Sequence, residues 1–166
     1  MWQNLRSMPP TPLALSSIQE ILDWYEQNLC RVELRDPRGY RVRFKPENFV
    51  HLIKLKNKYR KEPRNLRLVL EKIKAGELHF VAGRFDPQRT AELSWASEIA
   101  VNPGNICTNW QALGRGNEAY VKDFGTGGAT RFRVLVCKVV GVTRHVVTIF
   151  PRERIAESEL RMRVWP

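Results

Sequence analysis

The side chains in this sequence that could do chemistry are three histidines and a large excess of cations. His51 lies in the run Phe49-Val-His-Leu-Ile-Lys-Leu-Lys-Asn-Lys58. Read as a helix, that run puts Lys54 and Lys58 on the face of His51, with Leu55 between them and Lys56 turned elsewhere. Ammonium groups so placed favour the neutral imidazole near pH 7, the form a general base needs. The plainer reading is a surface histidine among solvated lysines. Tyr120 and Lys122 share one face of a strand-like run, either as a surface pair or as a phenol and an ammonium beside a phosphate. Arg131 and Arg133 share a face of the next strand. Arg144, Val146 and Thr148 share a face of the strand after that, whereas His145 and Thr148, three apart, point to opposite sides. Arg41 and Arg43 lie with Arg31, Glu33, Arg35 and Lys45 on the polar side of an upstream hairpin. A basic strand face is either solvated surface or a seat for phosphates. His79, in a short apolar run, reads as structural.

Motifs for other chemistries are absent. The sequence has no HExxH, no acidic cluster suited to Mg²⁺, no phosphate-binding glycine loop and no nucleophile elbow. Gly125-Thr-Gly-Gly128 lacks the following Lys-Ser/Thr and reads as a turn. No metal or cofactor is expected. Metal-free RNA cleavage stays open, because RNA carries its own nucleophile, the 2′-OH, and needs only a base, an acid and cations around the phosphate.

The chain has 166 residues, 43% of them hydrophobic, with a formal net charge of +11. That length supports one domain with a real core. The basic excess is spread along the chain, which points to an acidic partner, nucleic acid first. No run is apolar enough to span a bilayer, and no secretory leader is apparent, so no membrane association is expected. Three cysteines without a CxxC pair suit a reducing compartment, hence a cytoplasmic location.

The elements that must position these residues follow from local signals. Residues 1–15 read as a flexible lead-in and 16–166 as a single basic domain. Ser17-Ile-Gln-Glu20 is a capping box opening an amphipathic helix. A hairpin spans Cys30–Lys45 around Asp36-Pro-Arg-Gly39, with Val32, Leu34, Val42 and Phe44 on one side. Helices are expected from Pro46 to about Arg60, from Arg64 to Ala75, ended by Gly76, and from Pro87 to Ala100. A short strand is expected near Glu77–Phe85. Further strands are expected near Ile106–Trp110 and Ala119–Phe124, followed by a closing hairpin about Gly141. The tail after Pro151 reads as irregular or as a short helix. Helices first and an antiparallel sheet after them make an α+β fold.

Several segments together resemble phage and prophage nuclease domains of the barnase–EndoU–colicin–RelE-like superfamily. They are Trp95-Ala-Ser-Glu-Ile-Ala-Val-Asn-Pro-Gly-Asn-Ile106, Tyr120-Val-Lys122, Val134-Leu-Val136, Val146-Val-Thr-Ile-Phe-Pro151 and the hairpin-to-helix stretch Val42–Leu55. The resemblance covers about residues 30–151. It implies N-terminal helices packed on a C-terminal four-stranded antiparallel sheet, here with an extra N-terminal β-hairpin, and metal-independent RNA cleavage. It carries roles onto His51, Tyr120, Lys122 and Thr148, and onto Arg131 or Arg133. Two features depart from the pattern: only lysines follow the histidine, and the helix near 64–76 reads as an insertion.

The resulting expectation is a toxin-like or phage-encoded endoribonuclease, with tRNA a candidate target and a protein inhibitor or immunity protein a candidate partner. His51 would act as base. Lys54 and Arg133 or Arg131 would stabilise the phosphorane, Thr148 and Tyr120 would position it, and the product would be a 2′,3′-cyclic phosphate. Lys58, Lys122, Arg131, Arg144, Arg41 and Arg43 would hold the RNA. Two alternatives use the same basic surface: a non-catalytic nucleic-acid-binding module, and a structural or packaging protein of a mobile element.

Overall fold

A computed structural model describes residues 17–53, 63–77, 85–108, 116–125, 128 and 131–166, without the side chains of 63–65. The expected lead-in, the strand expected near Glu77–Phe85 apart from its two end residues and so including His79, and Lys54 and Lys58 lie outside the described residues. Among the described residues no helix is long and apolar enough to cross a membrane.

Helix α1 (Ile18–Tyr25) starts where the capping box places it: the Ser17 hydroxyl accepts from the Glu20 amide at 3.2 Å, and the Glu20 carboxylate accepts from the Ser17 amide at 2.7 Å. A π-helical turn, Glu26–Cys30, continues it. Strands β1 (Leu34–Arg35) and β2 (Arg41–Arg43) form the expected hairpin, turning through Gly39 at φ +90°. Pro46–Asn48 makes a 3-10 turn into a short α2 (Phe49–Leu52). Helix α3 (Pro63–Lys74) ends at Gly76, whose φ of +76° lets the Glu77 amide donate back to the Lys72 carbonyl. The helix expected over 87–100 is two pieces, α4 (Pro87–Leu93) and α5 (Ala96–Val101). Then come β3 (Asn105–Thr108), β4 (Asn117–Asp123), β5 (Phe132–Val140), β6 (Thr143–Arg152), α6 (Glu157–Leu160) and β7 (Arg163–Trp165).

The sheet differs from the four-stranded antiparallel one expected. It is a curled, mixed, seven-stranded sheet in the order β1-β2-β6-β5-β4-β3-β7. Strands β3 to β6 form an antiparallel meander, but both its edges are extended. The hairpin is not an appendage: β2 pairs in parallel with the start of β6, Arg43 beside His145. At the far edge the tail returns as β7 beside β3. These additions are two or three residues long, and their partners are remote in sequence, so neither periodicity nor turn chemistry signals them.

One face of the sheet packs under the helices. Tyr25, Phe44, Phe49, Ile73, Leu93, Ile99, Tyr120, Leu135, Val146 and Ile149 are all buried in this core. Each such side chain contributes about 1.5–3 kcal/mol through burial. The other face has a smaller cluster, Ala119, Val121, Val134 and Val136, over which Phe132, Phe150 and Ile155 pack.

Candidate functional site

Strand β6 decides which residues can meet. Opposite β5, Thr148 faces Val136, but Val146 faces Cys137, so β6 carries one extra residue, Val147, in a bulge. The bulge reverses the alternation. Arg144, Val146 and Ile149 point under the helices and are buried, while His145 and Thr148 share the outer face. The simple parity that paired Thr148 with Arg144 and opposed it to His145 therefore does not hold. Beyond the three residues that β2 pairs, two β6 carbonyls are met by side chains: Asn48 donates to Val146 and Arg89 to Ile149.

On the inner face, at the hairpin end, lies a closed polar network. Tyr120 donates to Asp36 Oδ2 at 2.7 Å, and Arg38 donates to the same oxygen at 2.7 Å and to Glu118 Oε2 at 2.6 Å. Arg144 donates to Glu118 Oε2 at 3.0 Å and to the Gly141 carbonyl at 2.9 Å. The guanidinium carbons of Arg144 and Arg38 lie 3.9 and 5.0 Å from the centroid of the Tyr40 ring. Burial pushes the Asp36 and Glu118 carboxyls up, but the hydrogen bonds from Arg38, Tyr120 and Arg144 outweigh it and hold both below their usual values. Burial also raises the Tyr120 phenol, which stays protonated. The network ties the hairpin turn to β4 and β6.

The other expected site residues are dispersed. Arg133 on the inner face donates to Glu92 at 2.8 Å, and its guanidinium sits 4.9 Å from the Trp95 ring and 4.7 Å from Phe124. Lys122 donates to Glu98 and to the Asn102 carbonyl. Arg131 pairs with Asp123 at an exposed turn. His51 is exposed near the end of α2. Tyr120, Lys122, Arg133 and Arg144 are thus held by partners of their own beneath the helices, and Thr148 is on the opposite side of the sheet.

The outer face brings together a different set. Across three adjacent strands, Arg43 of β2 stands beside His145 of β6, which stands opposite Lys138 of β5. Neighbouring strands are about 4.8 Å apart, so the three side chains form one short row. Lys45 follows Arg43 on the same side of the chain, and Arg41 precedes it; both lysines and both arginines are exposed. The carboxylates of this region are engaged elsewhere: Glu33 by Arg35, Glu47 by Arg67, and Asp36 and Glu118 by Arg38. Partial burial, then Lys45, Arg43 and Lys138, hold the His145 imidazole below its ordinary value, so it is neutral at pH 7. Its Nδ1 is buried and has no hydrogen-bond partner among the described residues.

Sequence reasoning placed Arg41, Arg43 and Lys45 on one polar face but missed Lys138 and did not bring His145 to that face. A readable signal existed for one pair: a two-residue turn at Gly141-Val142 sets Lys138 opposite His145 by counting. No local signal marks the bulge or the parallel pairing with β2. No protein-family model, curated protein or solved structure matches this chain, and the resemblance to the nuclease superfamily rests on its quoted segments alone.

Proposed function

We propose that this chain is a nucleic-acid-binding domain that holds a phosphate backbone on the outer face of β2, β6 and β5. The observation that carries this reading is the exposed row Arg43–His145–Lys138, flanked by Arg41 and Lys45 and free of ion pairs among the described residues. Among the described residues most other cations are paired with carboxylates, Arg89, Arg154 and Arg163 excepted. Four unpaired cations on one face repel one another, and a polyanion relieves that repulsion while releasing its own counterions. The test is fluorescence anisotropy with RNA and DNA oligonucleotides across a salt series. Four phosphate contacts predict a log–log salt slope of about −3. The double reversal R43E/K138E is expected to weaken binding more than about tenfold and to reduce the slope by about 2, while R67E on α3 leaves both nearly unchanged. Equal effects of the two reversals would overturn the assignment to this face.

A second reading, metal-independent RNA cleavage, is favoured by the bulge, which sets a neutral histidine and Thr148 on the cationic face. His145 would then take the 2′-OH proton, with Lys138 and Arg43 stabilising the phosphorane. His51, the base expected from the sequence, is the competing candidate. Incubation with RNA in EDTA, comparing H145A with H51A, decides between them by which variant loses 2′,3′-cyclic phosphate product. Salt-sensitive binding without cleavage leaves the binding domain as the function.

A further inference from the structure

We infer that the row Arg43–His145–Lys138 is a subsite for a terminal phosphate, so that the domain prefers nucleic acid bearing a phosphomonoester end over the same strand ending in a hydroxyl. This rests on the nucleic-acid-binding reading and adds to it the part of the strand that the face selects.

The inference comes from the direction of the row. Along β2, the side chains of Arg41, Arg43 and Lys45 repeat about every 6.6 Å, a spacing that can follow successive phosphates. The row through Arg43, His145 and Lys138 runs the other way, across the strands. In the antiparallel pair of Lys138 and His145 the Cβ atoms are only about 4.5–5.5 Å apart, and Arg43, on the parallel side, lies one strand spacing of about 4.8 Å away. A long arginine and a long lysine therefore flank a short imidazole and can close over one group lying on it. One phosphoryl group meets all three side chains at once.

Oxygen count and charge then discriminate. An internal diester offers two non-bridging oxygens and a single negative charge. A monoester offers three terminal oxygens and a charge of about −1.5 to −2 at pH 7. Three donors in one row match three oxygens. Two fixed cations, with Lys45 close behind, match the extra charge better than they match a diester. His145 completes the set through Nε2, the ring nitrogen left to face the row, since Nδ1 is buried and has no partner among the described residues. A strand lying along β2 would end with its terminal phosphate turned into the row.

The experiment uses the full chain and one oligoribonucleotide in three forms: 5′-phosphorylated, 3′-phosphorylated, and hydroxyl at both ends. One phosphorylated form is expected to bind at least about tenfold more tightly than the hydroxyl form, and which one it is gives the polarity of the strand. H145Q and K138Q are each expected to bring that ratio close to one. Circular dichroism melts of both variants check that they remain folded, K138Q being the change at the exposed position. Equal affinity for all three forms, with a steep salt dependence, would overturn the terminal subsite and leave the nucleic-acid reading standing. Absence of salt-sensitive binding to any form would overturn both.

Discussion

Glu118 accepts from two guanidiniums, those of Arg38 and Arg144, and it sits 7% exposed with Arg144 at 5%. Replacing it with alanine leaves the buried Arg144 without a carboxylate, while Arg38 keeps Asp36. E118A is expected to destabilise the fold by about 3–5 kcal/mol in chemical denaturation, and Y120F, which removes a donor to Asp36 and an acceptor for Arg38, by about 1–3 kcal/mol. The same carboxylates set the acid limb. Their folded-state pKa values are depressed below the usual 3.8 of Asp36 and 4.5 of Glu118. Their contribution is therefore fully present above those values and is lost as pH falls through the lower folded ones. The share of stability that these two carboxylates supply should be level from pH 7 to about 5 and fall below about 4.5, and E118Q should blunt that fall, whereas the lowered pKa of His145 removes stability already as pH falls below 6.5. His145 titrates with the opposite consequence for binding. The cations facing it, Arg43 and Lys45 from the β2 side and Lys138 from β5, keep it neutral at pH 7. Protonation adds a charge that an anion favours, so affinity for phosphorylated RNA should rise as pH is lowered from 8 to 5.5. A flat profile in the native chain, or an unaltered rise in H145Q, would count against that assignment.

At the level of elements, the local grammar of the chain was readable and its long-range pairing was not. Ser17 and Glu20, the Asp36–Gly39 turn and Gly76 act where their chemistry requires, because capping and turn geometry are decided by neighbours within a few residues. The hairpin faces were also legible from alternation: Leu34, Val42 and Phe44 are buried and Arg41, Arg43 and Lys45 are exposed, though Val32, beyond the strand, is 43% exposed. The face of Thr148 was not legible, since one extra residue at Val147 reverses the count and nothing at that position distinguishes a bulge from a regular strand. The bulge is instead specified from outside, by the Asn48 side chain on the Val146 carbonyl. Asn48 opens the turn into α2, so β2, α2 and β6 are fixed together. N48A leaves that carbonyl without its partner and is expected to cost about 1–3 kcal/mol. It should also broaden or shift the amide resonances of Val146 to Thr148 in an NMR spectrum. Unchanged resonances with a loss of stability would place the role of Asn48 in α2 alone.

Over the whole molecule, charge is sorted more sharply than composition indicates. The chain has 28 lysines and arginines against 17 acids. Three of the described acids serve inward ties: Glu92 with Arg133, Glu118 with Arg144 and Asp36 with Arg38. Using carboxylates this way leaves Arg41, Arg43, Lys45 and Lys138 crowded on one open face without counter-charges of their own, a configuration that opposes folding. A surface optimised for stability alone would place a glutamate among them. K138E, opposite His145 and two strands from Arg43, is therefore expected to raise the melting temperature by about 1–3 °C at low ionic strength. That gain should vanish in about 0.5 M salt, where the screening length shrinks to a few ångströms. The same substitution should weaken nucleic-acid binding. Stabilisation coupled to lost binding marks a face kept under strain for a ligand. If K138E destabilised the protein, or stabilised it equally at high salt, the lysine would be acting through packing, and the cationic row would lose its claim to be a binding surface.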